Sequence, residues 1–180
     1  MSGDPFWWAI SAQGLDVADV VLALHAGEGD KHYAGHCDIA RGSGVLARLA
    51  LWLAGFPPAG KGVATRLTIR TEGQESIWER DFGGHITRSR LNFDAAACRV
   101  IERFGPIRLA LTLTANEGRL HIAVTSMRLF GLPVPKPLLP VSATTESEGC
   151  DGRFRFNVEA RAPLAGFLIR YTGELQTFRQ

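Results

Sequence analysis

VATRLTIRTEGQESIWERDFGGHITRSRL, residues 63 to 91, alternates apolar and polar side chains in three runs, and its two interruptions, TEGQE and DFGGH, are rich in glycine and polar residues. A period of two sends successive side chains to opposite faces of a strand, and glycine supplies the positive φ that tight hairpin turns require. The stretch therefore reads as three antiparallel strands joined by two hairpins.

The same rhythm continues to the C-terminus through ACRVIERF, IRLALTLTA, RLHIAVTSMRLF, VSATTES, RFRFNVEA and GFLIRYTGEL, separated by NFDAA, FGP, ANEGR and EGCDG. About eight or nine short antiparallel strands are expected. So large a sheet must stack or curl on itself, because unprotected edges invite aggregation. Upstream, VADVVLALHA (17 to 26) has helical spacing and stops near Gly27, and HYAGHCDIARG alternates with Tyr33, Cys37 and Ile39 on one face. SGVLARLALWLAGFPP predicts a helix over 43–55, ended by Gly55, Pro57 and Pro58. The expected class is α+β, mostly β: a strongly curved antiparallel sheet or partly closed β-barrel, with the 43–55 helix packed on it or plugging it. Such a shape can enclose an apolar cavity. RLFGLPVPKPLLP (128 to 140) reads as a stiff connector in which Arg128 and Phe130 finish a strand on its inward face. Its leucines and Val134 are expected to lie across an open end of the sheet, as a plug or as the rim of a ligand entrance.

Composition favours one domain over residues 1–180, with an aromatic N-terminal arm, residues 1–12, docked through Phe6, Trp7 and Trp8. The formal net charge is +2 and the arginines are scattered along the chain, so no nucleic-acid partner is expected. Cys37, Cys98 and Cys150 form no CxxC pair, which points to a reducing cytoplasm rather than a disulfide framework. MSGDPFWWAI lacks the basic start of a secretory signal, and no run reaches the roughly 18 apolar residues of a membrane span.

Alternation also predicts which polar side chains point inward. In SIWERDF one face carries Trp78, Arg80 and Phe82; Glu102 shares a face with Val100 and Phe104; Arg128 with Leu120, Ile122, Val124 and Phe130; Tyr171 with Phe167, Ile169 and Leu175. A buried charge needs a partner, and Arg80 with Glu102 is the expected pair. Arg128 is then a surplus cation that, with Tyr171, could hold the acidic or carbonyl head of an apolar ligand. The alternative is a satisfied structural cluster that fixes strand register. His32, His36 and Asp38 would share a strand face able to hold a metal, but a solvent-facing trio is the expected reading. His25, His85 and His121 read as isolated surface or satisfied core residues. ARGSGVL is not a nucleophile elbow and GEGDKHYAG is not a dinucleotide fingerprint, so no cofactor is expected.

WERDF with ITRSRL, IERFGPIRLALTL, GRLHIAVTSMRLFGLPVPKPLLP, the acid of TTES, and DGRFRFNVEARAPLAGFLIRYTGEL together resemble the bacterial family called domain of unknown function 4166. HYAGHCDIARGSGVLARLALWLAGFPP resembles that family's opening. The pattern falls on Trp78, Arg80, Phe82, Glu102, Gly105, Gly131, Pro133, Glu146, Gly152, Pro163, Gly166, Tyr171 and Gly173. The resemblance implies no established activity. In some members a similar domain follows a saccharopine-dehydrogenase-like region, which implies an accessory role beside an oxidoreductase partner; the residues here read as the domain standing alone.

Three functions are compatible with these residues. One is a binding module for a small apolar molecule, a lipid or acyl chain, using Trp78, Arg80, Glu102, Arg128 and Tyr171. Another is an enzyme or accessory subunit in which Glu102 or Tyr171 serves as acid or base beside an arginine. The third is an interaction domain, for instance a homodimer, that uses the N-terminal tryptophans and the 128–140 segment.

Overall fold

The computed structural model describes residues 2–178; Met1, Arg179 and Gln180, the ends of the expected domain and arm, lie outside the described residues. The expected aromatic arm is a helix, α1 (Pro5–Gln13). Asp4 starts it: the carboxylate accepts hydrogen bonds from the backbone N–H of Phe6 at 2.9 Å and of Trp7 at 3.0 Å, and Pro5 occupies the first turn, where its missing N–H is harmless. α2 (Asp19–His25) follows, close to the expected span. Lys31 donates to the carbonyls of Leu24 at 2.6 Å and Ala26 at 2.9 Å at its C-terminal end.

The remaining chain alternates as expected. β1 (Gly29–Arg41) leads to α3 (Val45–Leu53), then β2 (Gly60–Glu72), β3 (Glu75–Phe82), β4 (His85–Asp94), β5 (Arg99–Phe104), β6 (Ile107–Asn116) and β7 (Arg119–Leu129). The two-residue β8 (Leu132–Pro133), a 3-10 turn at Lys136–Leu138 and the two-residue β9 (Val141–Ser142) precede β10 (Thr144–Glu148), β11 (Phe154–Ala162) and β12 (Gly166–Thr177). Each strand of the main series pairs antiparallel with its neighbour. Pairing of β10 with β7 completes a closed ring of ten strands, while β8 and β9 add short extensions. Closure removes the long edges that the sequence could not otherwise protect.

Gly35 and Gly173 let β1 and β12 approach closely: a Cβ on Gly35 would stand 1.9 Å from the Glu174 carbonyl oxygen, and one on Gly173 2.3 Å from the His36 carbonyl oxygen. The hydrophobic core fills the ring from its inner face and includes Phe6, Ile10, Val21 and Leu24 from α1 and α2. These two helices close one end of the barrel. At the other end α3 inserts Ala47 and Leu51 into the core, His85 Nε2 lies 2.9 Å from the Gly55 carbonyl, and Phe56 meets Phe104 edge-on. The helix, expected to pack on the sheet or to plug it, packs against it through Ala47 and Leu51.

The connector at 128–140 departs from expectation. A β-bulge in β7 shifts the register between Ala110/Leu111 of β6 and the strand facing them, pairing Leu111 with Val124 but Ala110 with Ser126. One extra residue inverts the parity. Leu120, Ile122 and Val124 face inward as predicted, but beyond the bulge Arg128 and Phe130 point outward and are exposed. The chain then turns at Gly131, and Leu132 pairs back with Leu129. Leu132 and Leu138 stand in solvent while Val134 and Leu139 are half-buried, so the first two do not plug an open end of the sheet.

Candidate functional site

Two clusters of charged side chains stand out in the barrel interior among the described residues, with Trp78 next to both. In the first, His25 at the end of α2 is fully buried and bridges two carboxylates: Nδ1 lies 2.9 Å from Asp4 Oδ2 and Nε2 2.7 Å from Glu146 Oε2. Asp4 thus caps α1 with one oxygen and holds the imidazole with the other. Phe6 and Trp78 pack on the same imidazole at centroid distances of 5.0 and 5.8 Å. Burial alone would lower the imidazole pKa, but the charges and hydrogen bonds of Asp4 and Glu146 prevail and raise it to about 10. At neutral pH His25 is therefore an imidazolium, and the trio ties α1, α2 and β10 together.

The second group is built on β3, β4, β5 and β12. Arg80 lies with its guanidinium 4.9 Å from the Trp78 ring centroid, donates to Ser89 Oγ at 3.0 Å, and reaches Glu102 Oε1 at 3.4 Å. The expected Arg80–Glu102 pair is formed. Tyr171 enters between Phe82 and Phe156, at 5.6 and 6.1 Å. Its phenol is pushed up to about 12, chiefly by burial; Arg80 opposes the shift and Glu102 reinforces it. Trp78 is 5% exposed, and its Nε1 is the buried side-chain nitrogen or oxygen without a hydrogen-bond partner among the described residues.

Burial is uneven along the barrel axis. On β7 the inward series runs from buried Leu120 and Ile122 to half-buried Val124 and Met127; on β11 it runs from buried Phe154 and Phe156 to half-buried Val158 and Ala160. Arg80, Glu102 and Tyr171 fall in the less tightly packed part, whereas the His25 trio falls in the dense part beneath α1 and α2. The inner wall keeps accessible surface beyond Trp78.

Trp78, Arg80, Glu102 and Tyr171 converge as the alternation predicted, but Arg128 does not join them. Its guanidinium is outside, 3.3 Å from the Gly131 carbonyl, because of the β7 bulge. His36 and Asp38 are exposed on the outer face, where Asp38 accepts a 2.7 Å hydrogen bond from Gly62 N–H, and His32 Nδ1 lies 3.2 Å from Thr68 Oγ1. Among the described residues no group of three His, Cys, Asp or Glu side chains is placed to hold a metal ion. His36 and Asp38 instead line an outer hollow of about 760 Å³ with Arg66, Arg155 and Glu174.

Nothing in the sequence marks the trio as a site. His25 fits the expectation of a satisfied core histidine, yet its partners are 21 and 121 residues away. Asp4 carried one local signal, the Asp-Pro that begins a helix; nothing local indicates that its second oxygen faces a histidine.

The family model for domain of unknown function DUF4166 matches residues 19–175 of the 180-residue chain. No curated protein matches it. The matched span contains the Arg80 group entire and begins just after α1, so Asp4 lies outside it.

Proposed function

The chain belongs to this family, and we propose that its barrel binds a small, largely apolar molecule, such as a lipid or acyl chain, through an oxygen-bearing head held at Trp78 and Arg80. The observation that carries this reading is the unpartnered Trp78 Nε1, a buried donor beside a guanidinium whose contacts are one hydroxyl at 3.0 Å and one carboxylate at 3.4 Å. A buried N–H without an acceptor costs about 1–3 kcal/mol, and a guanidinium has five donor hydrogens. A ligand oxygen admitted beside the indole by displacement of the side chains that now seal Nε1 would satisfy that donor, with the guanidinium 4.9 Å from the ring centroid to share it. Ser89 and Glu102 orient Arg80, while the half-buried Val124, Met127, Val158 and Ala160 supply an apolar wall. Tyr171, held protonated, offers a further neutral donor and is poorly suited to act as a base. This favours binding over acid–base catalysis by Tyr171.

Oleate serves as a probe of this reading, displacing the fluorescent anion anilinonaphthalene sulfonate from the purified chain. Saturable displacement is expected, weakened roughly tenfold in Trp78→Phe, which keeps a ring and removes the indole N–H. Solvent extracts of the purified protein are expected to contain an apolar acid or carbonyl compound. Extracts without such a compound, together with no oleate displacement, would overturn the reading.

A further inference from the structure

We infer that the α3 end of the barrel is a docking surface for an anionic lipid bilayer. The ends of the barrel differ in what they expose. Strand connections β1–α3–β2, β3–β4, β5–β6, β7–β8 and β11–β12 meet at the α3 end. Apart from Arg48, every residue of VLARLALWL in α3 is apolar. A helix apolar on all sides belongs in a core or a membrane, yet only Ala47 and Leu51 here are buried. Val45, Leu46, Leu49 and Trp52 point away from the barrel, with Trp52 74% exposed.

Turn tips continue this apolar surface. Phe130, between β7 and β8, and Leu164, between β11 and β12, are 69% and 86% exposed, and both have positive φ, 50° and 67°. Bulky side chains rarely adopt that backbone conformation. Strain and exposure at the same residues run against stability, as expected where an apolar group must protrude. Leu132, paired back with Leu129 next to Phe130, is 72% exposed as well.

The charge around this surface identifies its occupant. Arg90, Arg103, Arg108 and Arg128 are direct cross-strand neighbours on the outer faces of β4, β5, β6 and β7. All four are exposed, and among the described residues none pairs with a carboxylate. Like charges placed opposite one another disfavour the sheet, so the row is explained by anions from outside the chain. Arg48, on α3 itself, adds positive charge at the mouth of the barrel. At the opposite end, Asp16, Asp19, Glu28, Glu72, Glu117 and Glu148 are exposed and outnumber the exposed Arg70, Arg119 and Arg153 there, so a chain of formal net charge +2 is polarised along the barrel axis. An apolar helix bearing an exposed tryptophan, separate protruding apolar tips and a basic flank suits a deformable interface of acyl chains and phosphates better than a rigid complementary protein. The inference is independent of what the barrel interior holds.

Flotation of the full chain with vesicles of phosphatidylcholine and phosphatidylglycerol tests it, with pure phosphatidylcholine as reference. Binding is expected to the anionic vesicles, to weaken with salt, and to fall roughly tenfold or more in both Leu49→Ser/Trp52→Ser and Arg103→Ala/Arg108→Ala. Phe178→Ser, at the opposite end, should bind as the parent does. Brominated acyl chains should quench a tryptophan emission that Trp52→Phe removes. Circular dichroism of each variant verifies that it is folded. Absence of flotation would overturn the inference. So would binding lost with the arginines but indifferent to Leu49 and Trp52, the behaviour of a polyanion site that a single-stranded oligonucleotide would then occupy. A dimer seen by sedimentation velocity that the α3 variant abolishes, without vesicle binding, would assign the face to a second copy of the chain.

Discussion

His25 sits between two carboxylates and is cut off from solvent, whereas Arg80, a short distance along the same barrel interior, faces one carboxylate and keeps 22% of its side chain accessible. Trp78 stacks on the first cation and lies beneath the second. The contrast is one of solvation. A fully buried ion trio is locked by the penalty for leaving any member unpaired; a partly solvated pair can exchange a partner at much smaller loss. The trio accordingly suits holding the helical plug on the barrel, and the Arg80 group suits meeting a ligand.

Breaking the trio should have the largest effect. His25→Ala leaves two buried carboxylates without a cation and is expected to destabilise the fold by about 3–5 kcal/mol, read from urea unfolding at neutral pH. A loss under about 1 kcal/mol would show that the trio is not an ion-paired lock. pH sharpens the same point. The His25 pKa is raised from 6.5 to about 10 in the folded chain, so its contribution is complete below about pH 6.5 and is lost as pH rises toward 10. Unfolding free energy measured at intervals across that window should decline by up to about 1.4 kcal/mol per pH unit, and the decline should be missing from His25→Ala. A flat profile in the parent would contradict the assigned imidazolium.

Weaker effects are expected beyond Trp78. Glu102→Gln removes the carboxylate but retains an oxygen that can accept from Arg80, and the guanidinium keeps Ser89 and some water. About 1–2 kcal/mol of destabilisation is expected by the same urea titration, less than for His25→Ala. If the order of the two variants were reversed, the division between sealed and accessible groups would be wrong. Arg128→Ala should change stability by no more than about 0.5 kcal/mol, because its side chain lies outside the barrel. A large loss there would return Arg128 to the interior and remove the bulge as the explanation.

The interior positions of Trp78, Arg80 and Glu102 were legible because the parity of β3 and β5 is regular, and Tyr171 keeps the predicted face with Ile169 and Leu175; Phe167, predicted on that face too, is separated from them by a register shift in β12 and lies under the exposed Arg161 instead. Arg128 follows the same apparent alternation and fails, since a single bulge upstream of it changes the face of every later residue in β7. The α1 helix is illegible in the sequence for another reason. Nine residues, apolar almost throughout, show little amphipathic periodicity, and only the Asp4–Pro5 cap marks the start. The arginine row was equally hidden: residues 90, 103, 108 and 128 are dispersed along the chain and become neighbours only through antiparallel register.

By itself the sequence determined the strands, their hairpin order, the 43–55 helix and a mostly antiparallel β architecture, because backbone periodicity and turn chemistry are local properties. It also determined that Arg80 and Glu102 would share an interior. Only the tertiary structure decided that β10 pairs with β7 to close the ring, that Asp4, His25 and Glu146 meet, and that positive charge and exposed apolar groups gather at one end. Closure, register and the juxtaposition of distant side chains depend on how all ten strands fit together, and no short stretch of chain contains that information.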